Sequence, residues 1–290
     1  MEQIDFAYLK KFYNNNPMYL ICSLIYVSIT ALLMGGRIFS WIFSFTVYIV
    51  SLAVIFSPLG EKLLRFIENV RPLYTKREKD YLLPIFEEVY RKARKRNPKL
   101  KIELCVIDQM YINACALGKH TIAVTKGAME TFSEDELKSI ISHEIGHIVN
   151  FDTIASLYLL IGAGLFSVYM IITKFIINLV ERLSSSLSRG GFLKVIVSFV
   201  LYSFQLLLLI FMLVMNLLTA KNSRANEYRA DEFTNKLGYG QEMIEALYLL
   251  EKINLSSNRS ILSKMLAKHP ILPKRIANLE SISDGGLPVR

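Results

Sequence analysis

Four stretches of this chain carry no charged side chain over a length that can cross a bilayer: residues 12–36, 38–60, 153–173 and 195–220. A membrane-spanning helix needs about 20 apolar residues. The third stretch continues past Lys174 to Val180, because a lysine can lift its ammonium to the interface. The fourth has only Gln205 and Asn216 as strongly polar side chains. Buried helices of a soluble core of that length would show a polar face. Four spans are therefore expected. Lys10 and Lys11 ahead of the first stretch resemble the basic region of a signal peptide. The apolar run is too long for one, no small-residue cleavage site follows, and a second run comes directly after Gly35-Gly36-Arg37. The reading is two transmembrane hairpins, 12–60 and 153–220, the second turning through the Ser/Gly-rich residues 181–191.

Two water-soluble pieces remain, 61–152 and 221–290. Two spans separate them, so both face the same compartment, and together they are long enough for one domain with its own core. Lys and Arg number 29 on their side, counting the pair before the first span, against 5 on the other. That asymmetry puts the soluble pieces in the cytoplasm and the protein in the cell membrane. It also accounts for the net charge of +9 without nucleic acid. The densest basic run, 91–101, reads as a solvated helix face near anionic lipid head groups rather than a nucleic-acid patch. Three cysteines with no CxxC pair exclude a disulfide framework and fit a reducing compartment.

The fold expected is α+β and mostly helical. Four transmembrane helices carry a zincin-like cytoplasmic catalytic domain with a small sheet, assembled from the two soluble segments. Residues 84–96 read as an amphipathic helix, and 102–108 and 120–125 as strands. Between the strands, 111–118 is expected to present an exposed edge to which an extended substrate adds as a strand. Ser133 and Glu136 form a capping box that opens a helix with Leu137, Ile140, Ile141 and Ile148 on its apolar side.

That helix contains His143-Glu144-Ile145-Gly146-His147. Histidines four apart share one helical face, so both imidazoles can reach one Zn²⁺ with Glu144 beside it. With 4 His and 18 Glu in 290 residues, this pattern is expected by chance about 0.003 times. A hydrolytic zinc usually has three protein ligands and an open position. The segment after the fourth span, 220–233, places Glu227 and Asp231 on one helical face. One of these carboxylates can bind the metal while the other orients a ligand histidine.

HExxH, two spans, then Ser223-Arg224 followed by Glu227-Tyr228 and Ala230-Asp231 together resemble the HtpX-type membrane zinc endopeptidases, relatives of the CAAX prenyl endopeptidases. The resemblance covers about residues 17–280. It includes Asn113-Ala114-Cys115-Ala116, similar to the family's Asn-Ala-Phe-Ala segment, and His269-Pro270 ahead of Arg275-Ile276. It implies one zinc per chain, held by His143, His147 and Glu227, with Glu144 as base. It also implies Asp231 and Arg224 around the ligands, Asn113, Ala114 and Ala116 along the substrate, and a cytoplasm-facing site acting on membrane or unfolded proteins. Cys115 replaces the usual aromatic, and the tail before the first span is longer than the pattern.

In such a site Glu144 takes a proton from the attacking water and passes it to the leaving nitrogen. The developing oxyanion needs a donor, and His269 is the candidate, being one of two histidines outside the motif. His120 reads as a surface residue, and Cys105 and Cys115 as small core residues. Two alternatives accompany this reading. One is a processing protease for prenylated C-terminal peptides. The other is a four-span sensor or transporter with a structural metal, disfavoured because Glu144 stands where a base is needed and no span carries the charges of an ion path.

Overall fold

In a computed structural model of the chain, the described residues are 10, 12–14, 17–33, 36–154, 224–254 and 272–283, with isolated helical positions between 175 and 213. The third and fourth apolar stretches and His269 lie outside this set, apart from those isolated positions and the start of the third stretch, 153–154. The described part is mostly helical around a small mixed sheet.

Helices α1 (Pro17–Leu33) and α2 (Ile38–Phe56) pack on one another as a hairpin. Gly36, at φ +66°, turns the chain between them and returns its N–H to Ala31 O at 3.0 Å. The Tyr48 hydroxyl joins the pair through Ser23 Oγ at 2.8 Å. Among the described residues no single helix is long and apolar enough to cross a membrane. The stretch 38–60 is not one straight helix. It breaks at Ser57, and α3 (Pro58–Ile67) leaves at 73° to the first part; only together do the two have the length and apolar composition of a span. The cause is local. A residue before proline is pushed to extended backbone, and Ser57 sits at φ −88°, ψ 162°. Its side chain then accepts from Leu59 N, capping the new helix.

Strand β1 (Val70–Pro72) follows, then α4 (Lys76–Arg96). This helix starts eight residues before the expected position, because Thr75 and Glu78 form a capping box and the helix runs through Pro84. Leu82, Ile85, Phe86, Val89 and Ala93 line its buried face. Strands β2 (Glu103–Ile107), β3 (Ala114–Leu117) and β4 (Thr121–Thr125) complete the sheet, in the order β1-β2-β4-β3. β2 and β4 are parallel; the outer pairs are antiparallel. β3 is thus an edge strand. Thr125 caps the short α5 (Lys126–Thr131), and the Ser133–Glu136 box opens α6 (Glu134–Asn150) as expected.

One face of the sheet packs against α4 and α6. Val106, Ile122 and Val124 meet Leu82, Val89, Leu137, Ile141 and Ile145 in the main core. The second soluble segment supplies α7, over residues 224–236, then α8 (Gly240–Asn254) and α9 (Leu272–Ser283). Met243, Ile244 and Leu247 of α8 pack on Ile276 and Leu279 of α9. α8 also packs on α6. The second segment is thereby pressed against the helix that carries HExxH.

Candidate active site

Helix α6 turns Ile141 and Ile145 into the core and His143 and His147 toward α7. The two rings stand edge to face with Nε2 atoms 3.1 Å apart. From α7, Glu227 brings Oε2 to 3.4 Å from His143 Nε2 and Oε1 to 3.5 Å from His147 Nε2. Its side chain is 4% exposed. Such an approach needs the two helix backbones close together. Gly146 allows it: a Cβ there would lie 3.0 Å from Ala230 Cα and 3.3 Å from Ala230 Cβ. A mid-helix glycine costs about 1 kcal/mol relative to Ala, and here the close crossing is what it serves.

Each histidine has its other ring nitrogen held. His143 Nδ1 is 3.0 Å from Asp231 Oδ1, and His147 Nδ1 is 3.0 Å from Asp152 Oδ2. Both Nε2 atoms are thus aimed at Glu227. Asp152 arrives because Phe151, just past α6, adopts the left-handed conformation at φ 66° and folds the chain back over His147. Arg229 of α7 also reaches Asp152, at 3.5 Å.

Two buried carboxylates on α7 need a counter-charge. Arg275 of α9 supplies it. Its Nη1 lies 3.0 Å from Glu227 Oε2, while Nη2 and Nε donate to Asp231 at 2.6 and 2.8 Å. This bidentate grip fixes Asp231. Burial alone would raise the Asp231 carboxyl; the Arg275 charge outweighs it and holds the group below the ordinary aspartate value. Burial works against a charged imidazole at both histidines. The surrounding carboxylates outweigh it, raising His143 and taking His147 well above the usual value. These nitrogens sit in a field built for a cation.

Glu144 points across α6 to the sheet edge, where its Oε2 accepts from the Ala116 N–H at 2.8 Å. His143, Glu144 and His147 present ligand atoms all within 4.8 Å of one another. β3 alternates: Cys115 pairs with Ala123 of β4, and the Ala116 N–H faces outward to Glu144. Asn113 enters β3 with its N–H on Thr125 Oγ1 and its carbonyl on Thr125 N, both at 3.0 Å, and its side chain exposed. Ala114 is half-buried on the same strand.

The structure therefore brings together His143, Glu144, His147, Glu227, Asp231 and Ala116. Arg224 is not among them. It is exposed one turn before Glu227, and the arginine on the carboxylates is Arg275. Positions 224, 227 and 231 share one helical stripe, but 224 lies nearly two turns before Ala230, where α7 meets α6 at Gly146, and it is exposed. Asp152 also escaped sequence reading, although a carboxylate just beyond the helix, five residues after His147, is a usable signal. His120 is half-buried, its Nδ1 2.8 Å from Lys101 O and away from the site. Cys105 is fully buried in the sheet, and burial pushes the Cys115 thiol up to about 12.

The family model of peptidase family M48 matches residues 76–283, which holds every group just described. The chain belongs to peptidase family M48. It is a metallopeptidase. Protease HtpX of Idiomarina loihiensis is 27% identical over 213 residues, covering 68% of this chain and 71% of that protein. An HtpX homologue of Desulfotalea psychrophila is 29% identical over 198 residues, 62% of this chain and 67% of its own. The fold is similar to the crystal structure of S. mikatae Ste24p, with a TM-score of 0.51 and 21% identity over 92% of this chain. The chain spans 62% of that larger chain. As an M48 member with a helical fold around a small sheet, it is an HtpX-type metalloprotease, and the sensor or transporter alternative falls away.

Proposed function

We propose that this M48 peptidase is a membrane-embedded zinc endopeptidase that cuts membrane or unfolded polypeptides on the cytoplasmic side, a quality-control role. The observation that carries the chemistry is the convergence of His143 Nε2, His147 Nε2 and the Glu227 carboxylate within 3.5 Å of one another, each histidine oriented from behind by a carboxylate. Two imidazoles and one carboxylate form a borderline donor set that suits zinc, and three ligands leave a position open for chemistry. His143, His147 and Glu227 would hold the ion, one per chain. When bound, zinc supplies Lewis-acid polarisation of the peptide carbonyl.

The remaining work belongs to the protein. Glu144 accepts the proton of the attacking water and returns it to the leaving nitrogen. β3 offers outward main-chain groups at Ala114 and the Ala116 carbonyl to an extended substrate, with Asn113 at its start and the Ala116 N–H holding Glu144, so recognition rests on backbone rather than side chains. His269 is the proposed oxyanion donor. Asp231, gripped by Arg275, and Asp152 keep the ligand rings aimed. The cytoplasmic orientation rests on the 29-to-5 basic asymmetry and the apolar hairpins.

The test compares wild type, Glu144→Gln and His143→Ala in detergent, reading zinc content together with cleavage of casein, a membrane-protein substrate and a prenylated peptide. An amide keeps the shape of the base but accepts no proton. Glu144→Gln should retain zinc and lose at least about 10²-fold in cleavage; His143→Ala should lose both. Proteolysis by zinc-loaded Glu144→Gln refutes the mechanism. Cleavage confined to the prenylated peptide replaces quality control with processing.

A further inference from the structure

Helix α3 is built inside out. The face it turns to the catalytic unit carries its ion-pairing groups, beside buried Gly60 and Leu64. Buried Glu61 accepts from the Lys119 N–H at 3.1 Å and from the Thr121 hydroxyl. Arg65 donates from Nε to Thr121 Oγ1 and from Nη2 to Glu103, each at 2.7 Å. Opposite lie Leu59, Leu63, Phe66 and Ile67, exposed by 62, 41, 80 and 45%. At 3.6 residues per turn, Leu59, Leu63 and Phe66 fall on one line, with Glu61 and Leu64 behind them. A helix at the surface of a water-soluble domain has these faces reversed.

What covers the apolar face follows from its neighbour. α3 begins one residue after α2, whose exposed large side chains are apolar, Ile38, Phe39, Ile42, Phe43 and Phe45 among them. Nearer the 73° bend Ile49 and Val50 are exposed as well, so both arms of the bend present apolar side chains. A helix nearly perpendicular to a span, apolar on one side and charged on the other, has the make-up of one lying in the membrane surface. Lys62, exposed beside the stripe, can reach the head groups.

We infer that α3 lies flat in the cytoplasmic membrane surface, with Leu59, Leu63 and Phe66 among the acyl chains just beneath the head groups, and that its polar face fixes the β3–β4 turn at a set depth. Gly118 of that turn, at φ +59°, meets the Glu61 side chain so closely that a Cβ would lie 2.7 Å from Oε2. Thr153, where the chain heads into the third apolar stretch, donates to Gly118 O. The turn feeding the substrate edge is thus gripped from the membrane side. This inference rests on the membrane-embedded reading.

Trp41 is the sole tryptophan, so bromolipid quenching can read both levels. The full chain is reconstituted in phosphatidylcholine/phosphatidylglycerol vesicles carrying bromines either near the head groups or near the chain ends. Wild type reports α2 through Trp41. Trp41→Phe combined with Phe66→Trp, or with Leu63→Trp as a second probe, reports α3. Trp41→Phe with Tyr248→Trp is the solvent control, since Tyr248 is exposed on α8. The expected result is loss of emission at 63 and 66, greater with shallow than deep bromines, and none at 248. Stronger loss with deep bromines would make α3 a continuation of a span and overturn the inference. No loss at 63 or 66 with Trp41 quenched overturns it too; emission that shifts red on dilution would then name a second copy as the cover. An unquenched Trp41 would sink the membrane reading itself.

Discussion

Gly146→Ala adds one methyl group where α6 crosses α7, and its consequences can be worked from the geometry of the crossing. The new Cβ would sit 3.0 Å from Ala230 Cα. Carbon atoms prefer about 3.5–4.0 Å, so α7 must retreat by roughly 0.5–1 Å. Glu227 lies one turn along the same helix and retreats with it, opening its 3.4 and 3.5 Å approaches to the two histidines. The stability effect is small because two terms oppose. Ala gains about 1 kcal/mol of helix propensity, and overpacking costs about 1–3 kcal/mol. The net loss is about 0–2 kcal/mol, whereas a 1 Å misplacement at a reacting centre costs about 10²-fold in rate. Purified variant and wild type are to be compared for Tm, for zinc retention against a chelator, and for kcat/KM on a peptide substrate. Cleavage and zinc retention should fall together while Tm drops by no more than about 8 °C. Ala230→Gly in the same chain should restore only part, because the α7 backbone still stands 3.0 Å from the new methyl group once the residue-230 side chain is gone. A Gly146→Ala protein with higher Tm, full zinc retention and full activity would refute the close-crossing account.

Ala116→Pro removes the N–H that donates to Glu144; cleavage should fall with zinc content unchanged, and undiminished turnover in a folded, zinc-loaded protein would remove the edge-strand role. Arg275→Met leaves Glu227 and Asp231 buried without their counter-charge, which should cost about 3–5 kcal/mol in denaturant unfolding of the apo protein. The Arg71 guanidinium holds the Glu78 carboxyl down at about 2. A depressed carboxylate contributes stability fully present above its unfolded pKa and lost as pH falls through the folded one. Glu78→Gln should therefore be less stable near neutrality and lose less between about pH 4.5 and 2, read as Tm against pH.

Local spacing in the sequence located much of this site. The i, i+4 histidines, the Ser133 box, the edge segment before β4 and the Glu227–Asp231 pair all depend on neighbours within a turn or a strand, and the structure places them together. What escaped depends on distance or direction. Arg275 lies 132 residues from His143 and meets it only through the packing of α8 and α9. Arg224 shares the stripe of Glu227 and Asp231 but stands nearly two turns before the close approach at Ala230, and it is exposed. α4 starts ahead of the expected residue 84 because the capping box at Thr75 opens the helix a full two turns earlier and the helix runs through Pro84. β1 is three residues long and ends in Pro72, too short for alternation to show. The break at Ser57 was hidden by unbroken hydrophobicity, although the Ser-Pro pair at 57–58 marks it.

The assembly from two segments also sets an order in time. During synthesis α6 leaves the ribosome with both histidines long before Glu227 exists, and Arg275 comes later still. In a nascent chain halted anywhere before α9, Glu227 and Asp231 lack the guanidinium that grips both of them in the finished fold, and burying an ion short of its partner costs several kcal/mol. The buried charge network is therefore closed by the last described helix, when α9 packs on α8 and carries Arg275 onto both carboxylates.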